Sequence, residues 1–108
     1  MSIGIVAAFL LAAGQPALQA EPGLQAQAKV SYPAAQKAAL AKVKGAVIKS
    51  AELEQEGGKL IYSFDLKRKG RAGIDEVHVD AVSGKVLSVD HEGPAAEAKE
   101  RAQDRQKK

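Results

Sequence analysis

The chain has 108 residues, 16 of them basic and 13 acidic for a net charge of +3, with no cysteine, no tryptophan, two tyrosines and two phenylalanines. That length holds one domain with a thin core. Without cysteine there is no disulfide framework, thiolate metal site, thiol nucleophile or lipid-attachment thiol, and the interspersed charges suit a soluble surface better than a nucleic-acid footprint.

Ile3 to Ala13 form an unbroken apolar run, closed by Gly14 and Pro16. The run is too short for the ~20 residues of a membrane-spanning helix, and it matches the apolar core of a secretory signal. No lysine or arginine precedes it, so the usual positive start is reduced to the α-amino group. Cleavage after Ala20 suits the short run, and Ala26-Gln27-Ala28 offers a second site after residue 28. The expectation is a signal peptide over residues 1–20, then a linker over 21–30 containing Pro22, Gly23 and alternating glutamine and alanine.

Ser31 is a helix cap and Pro33 is tolerated in a first turn. Ala35, Ala39, Leu40 and Val43 then recur at helical spacing, with Gln36, Lys37, Lys42 and Lys44 largely opposite, and Gly45 ends the helix. The alanine face implies close approach to a sheet. After Gly45 the pattern alternates, and three turns divide it into four strands. Glu56-Gly57-Gly58-Lys59 is a two-residue hairpin needing positive φ at both centres. Pairing Glu56 with Lys59 sets Leu53 opposite Tyr62 and Ala51 opposite Phe64. The next connection, Lys67 to Gly73, is charged, and Lys67-Arg68-Lys69-Gly70-Arg71 is a solvated loop. In the last turn Gly84 takes the left-handed position, Ala81 pairs Lys85, Val79 faces Leu87 and Val77 faces Val89. The predicted fold is α+β, one short helix on a four-stranded antiparallel meander. Its inward set is Ala51, Leu53, Tyr62, Phe64, Leu66, Val77, Val79, Leu87 and Val89. Residues 92–108 are a charged polar tail, helical or disordered, without an apolar face.

These residues resemble the PepSY domain over about residues 30 to 91. The resemblance rests on Ala35 and Ala39 before Gly45, on Tyr62-Ser63-Phe64-Asp65-Leu66, and on Val77 to Leu87 with its Val79-Asp80-Ala81 turn and Gly84. Ser83 stands where the family more often has threonine, and Phe64 where an aliphatic residue is commoner. The family implies a small exported module, found in propeptides of secreted metallopeptidases and as stand-alone periplasmic proteins, that restrains or regulates a peptidase. No peptidase follows here, so any target is expected in trans. The family supplies no catalytic residues.

The residues themselves point the same way. His78 falls opposite Ser88, and His91 lies roughly 10 Å away along the hairpin, too far to share one metal. Glu76 and Asp90 face each other outward, with too few oxygens for a divalent cation. No catalytic site, metal or cofactor is expected. Ile48, Ile61 and Ile74 fall on the outward face as an apolar patch for a partner or a weak homodimer, and edge strands offer a second route to binding. The expectation is a non-enzymatic, periplasmic or secreted binding module with a protein partner, no nucleic acid and no membrane anchor after processing. A cation-responsive or structural accessory protein of the envelope, using Glu76 and Asp90, is the alternative.

Overall fold

A computed structural model describes residues 15–94. The apolar run at 3–13 and nearly all of the charged tail lie outside the described residues. The elements in chain order are β1 (Leu18–Ala20), α1 (Leu24–Gln27), α2 (Tyr32–Lys42), β2 (Ala46–Glu56), β3 (Lys59–Arg68), β4 (Ile74–Asp80) and β5 (Val86–Glu92). They build one sheet of order β1-β2-β3-β4-β5. Four antiparallel strands and one helix were expected. A fifth strand and a second, four-residue helix are added, and β1 runs parallel to β2, so the sheet is mixed.

The local chemistry explains the elements. The Ser31 hydroxyl accepts the Ala34 N–H at 3.3 Å at the start of α2, satisfying one donor that a helix leaves open. Val43 closes the helix, and Gly45 at φ 77° redirects the chain into β2. Gly57 and Gly58, at φ 57° and 81°, form the first hairpin with Glu56 facing Lys59. Positive φ at both centres matches the right-handed strand twist. Leu53 faces Tyr62 and Ala51 faces Phe64, as the hairpin register requires. In the β4–β5 turn Gly84 sits at φ 83°, and the Asp80 carboxylate accepts the Val82 and Ser83 N–H groups at 2.8 and 2.9 Å. Those two backbone donors hold the Asp80 carboxyl below its usual range.

Helix α2 covers one sheet face. Ala35 and Ala39 are fully buried against it, and the core also holds Val43, Leu53, Leu60, Tyr62, Phe64, Leu66, Val77, Val79 and Ala81. Alanine lets the helix backbone come close, which suits a protein with few large side chains. Leu40 is only half-buried, while Gln36, expected on the solvent side, is buried beside Ala35.

Two irregularities change which residues point inward. Between Ile48 and Ser50 the β2–β3 register shifts by a bulge, so Ile48 pairs with Leu66 and enters the core, leaving Val47 outside. Between His78 and Val79 the β4–β5 register also shifts, setting Val79 opposite Val86 rather than Leu87. Ala81 likewise leaves the expected pairing with Lys85. Its N–H donates to the Leu60 carbonyl, and its own carbonyl accepts the Lys29 and Val30 N–H groups. Leu87 is therefore 41% exposed. Val89 does face Val77, yet it is 45% exposed, because β5 is the edge strand and the helix does not cover it there.

Candidate functional site

Among the described residues three places bring polar or unpaired groups together: the outer sheet face, one end of the inner face, and the β2 edge. On the outer face Glu76 lies opposite Asp90 and His78 opposite Ser88, as the pairing pattern implied. Ser63 donates to Glu76 at 3.4 Å, and His78 Nε2 stands 3.7 Å from the same carboxylate. Glu54 sits among these acids. Partial burial, then Glu52, Glu56 and Glu76, push its carboxyl up, against a smaller opposing pull from His78. Among the described residues no group of three or more His, Cys, Asp or Glu side chains is arranged to hold a metal ion.

The isoleucine patch does not form an exposed surface. Ile48 is in the core, Ile61 is only 4% exposed on the outer face between Glu54 and Asp80, and Ile74 is half-buried opposite Glu92. Ile48 was misplaced because the bulge at Lys49 reverses the alternation counted back from Ala51.

At the far end of the inner face lies a network that the alternation did not bring out. Asp75 is 4% exposed and accepts two hydrogen bonds from Arg68, Nε at 2.7 Å and a terminal nitrogen at 3.0 Å. His91 Nδ1 lies 2.8 Å from Asp75 Oδ1, the oxygen that also accepts the Arg68 terminal nitrogen. Burial alone pushes this carboxyl up, but the Arg68 and His91 hydrogen bonds and charges outweigh it and hold it below its usual range. The signal was present in the sequence: Arg68, Asp75 and His91 share inward parity with Leu66, Val77 and Val89. The arrangement is a bidentate ion pair with a histidine buttress, and no nucleophile adjoins it in these contacts.

The β2 edge is the most site-like of the three. Strand β2 is eleven residues long, and β1 covers it only at Leu18–Ala51, Gln19–Glu52 and Ala20–Leu53. Leu18 packs on the core, and the Tyr32 hydroxyl donates to the Pro16 carbonyl at 2.6 Å. A cleft beside it is lined by Leu18, Gln25, Ala28, Val30, Tyr32 and Tyr62. Tyr62 donates to the Val30 carbonyl at 2.6 Å. Tyr32, Tyr62 and Phe64 stack with centroids 6.2 Å apart, tying the start of α2 to the sheet. Among the described residues no helix is long and apolar enough to cross a membrane.

A protein-family model described as the peptidase propeptide and YPEB domain, PepSY, matches residues 29–90. Searches of curated proteins and of solved structures return no match. The matched segment starts beside the α2 cap, takes in α2 and β2 to β4, and ends inside β5, while β1 and α1 lie before it. It agrees to within one residue at each end with the likeness drawn over residues 30 to 91. Since the match covers more than half of the sequence, the chain belongs to the PepSY family.

Proposed function

We propose that this chain is a small exported binding module that regulates a secreted or periplasmic peptidase in trans. The observation that carries the reading is the family match over residues 29–90, since PepSY domains are typically non-catalytic, propeptide- or inhibitor-like modules of extracellular or envelope proteins. The geometry adds support: the described fold offers a long strand edge, paired with β1 over only three of its eleven residues, of the kind that accepts a polypeptide. Titrating the chain against a panel of secreted metallopeptidases, with hydrolysis of a chromogenic peptide as readout, tests the regulatory role. Saturable loss of hydrolysis of at least one peptidase is expected, and unchanged rates across the panel at micromolar chain would remove it. Export is tested separately by N-terminal sequencing of protein recovered from the envelope fraction, with a start at residue 21 or 29 expected and an intact Met1 counting against it.

A further inference from the structure

We infer that the β2 edge is a strand-acceptor site for an extended, basic-apolar segment of a partner protein, and that residues 16–20 of this chain are its resident occupant. The inference rests on the binding-module reading above and specifies its surface.

Strand β1 has the features of an occupant rather than of a framework element. It is three residues long and parallel to its neighbour, whereas every other pairing in the sheet is antiparallel. Parallel pairing is slightly the less stable kind. Gln19 and Ala20 are exposed, and α1, which follows, buries no residue. Few apolar contacts and exposed backbone hydrogen bonds place such a segment at the low end of local stability. It also precedes the residues that define the family.

The edge it covers is longer than it is. Only Ala51, Glu52 and Leu53 of the eleven β2 residues face β1. A partner strand of eight or nine residues would therefore pair more main-chain groups than β1 does, and this is the thermodynamic reason it displaces the resident. Register then sets the side-chain preference. The position equivalent to Leu18 lies on the inner face beside Ala51 and demands an apolar residue, while that equivalent to Ala20, beside Leu53, is exposed and takes a small one. The position equivalent to Gln19 lies beside Glu52, and the next two outward places face Glu54 and Glu56. Those three acids favour lysine or arginine and repel carboxylates. Before the strand, the Tyr32 hydroxyl fixes one carbonyl of the occupant, as it fixes that of Pro16. Processing after residue 20 or 28, if export proceeds as proposed, removes β1 and opens the edge.

The test uses the full chain and a labelled peptide, Pro-Ala-Leu-Lys-Ala-Lys-Val-Lys-Val, followed by fluorescence anisotropy. Leu18→Asp, which undocks β1, should bind the peptide about tenfold more tightly than the unaltered chain, the gain expected when an edge occupied about nine-tenths of the time is freed. A second variant guards against loss of fold. Leu18→Cys with Ala51→Cys places two thiols at register partners in a protein without cysteine and leaves Glu52, Glu54 and Glu56 in place, where adjacent strands meet disulfide spacing. Oxidised, it should bind no peptide; reduced, it should bind again. A peptide with glutamate at the three lysines should not bind any form. Equal binding by the oxidised and reduced forms, or by the two peptides, overturns the site. Inhibition of a peptidase by the oxidised chain as strong as by the reduced one also overturns it while leaving the peptidase reading standing. Peptide binding that follows the expected pattern with no peptidase affected supports the site and removes that reading.

Discussion

Gly70 and Gly73 flank the same loop, both at positive φ, 78° and 90°, yet the structure assigns them different costs of substitution. A side chain in the left-handed region costs about 1–2 kcal/mol at either position. At Gly70 an added Cβ meets nothing within 4 Å. At Gly73 it would sit on the Glu92 carbonyl, with Gly93 Cα also only 3.1 Å away. Those atoms are backbone, so they cannot swing aside. Relief requires the end of β5 to move off β4, disrupting the Ile74–Glu92 and Asp75–His91 pairs, at a further cost of about 1–3 kcal/mol. Gly70→Ala should therefore lose about 1–2 kcal/mol and Gly73→Ala about 2–5 kcal/mol, the larger loss of the two. For a domain of this size, each kcal/mol corresponds to roughly 4–8 °C in Tm. Urea and thermal unfolding followed by circular dichroism would report both. Equal losses in the two variants would refute the close-approach argument and leave only backbone conformation to explain them.

Other substitutions address the buried groups. Arg68→Met leaves the Asp75 carboxylate with His91 alone, and should cost about 3 kcal/mol, the low end of the buried-pair range applying because the Arg68 side chain keeps 32% exposure. Because the Asp75 carboxyl is held below its unfolded value of about 3.9, its contribution is present above that pH and is lost as pH falls through the folded value. The variant's stability should accordingly fall less steeply as pH drops below about 4, and an unchanged acid limb in urea titrations would dissociate Asp75 from acid unfolding. Gln36 carries a buried amide nitrogen without a hydrogen-bond partner, so Gln36→Leu should be neutral or stabilising by up to about 2 kcal/mol; a clear drop in the urea midpoint would show that the amide is satisfied. Tyr62→Phe removes the donor to the Val30 carbonyl and should cost about 1 kcal/mol, with faster amide exchange around residues 29–31 as its signature.

The parts of the fold that were legible are those where chemistry admits few alternatives. Two adjacent glycines between alternating strands dictate the first hairpin, and Asp80 with Gly84 dictates the last turn. From them followed the Leu53–Tyr62 and Val77–Val89 pairings. Ile48 and Leu87 were misplaced where two large apolar side chains stand side by side, Val47-Ile48 and Val86-Leu87. Alternation cannot say which of such a pair faces the core, and a bulge settled each in the opposite sense. Strand β1 was illegible for another reason. A parallel pairing of three residues has no turn to announce it, and its segment read as the end of a leader. The Arg68–Asp75–His91 network follows from parity alone, but charged side chains at a sheet end invite a solvated reading. The edge site was visible only as the general liability of an outermost strand.

The stack of Tyr32, Tyr62 and Phe64 has an experimental consequence. With no tryptophan in the protein and Phe9 outside the described residues, both tyrosyl chromophores sit within one junction, where the N-terminal segment, the helix and the sheet converge. Near-ultraviolet dichroism and tyrosine emission are therefore single-location signals. A ligand arriving at the β2 edge would announce itself optically, without any dye attached.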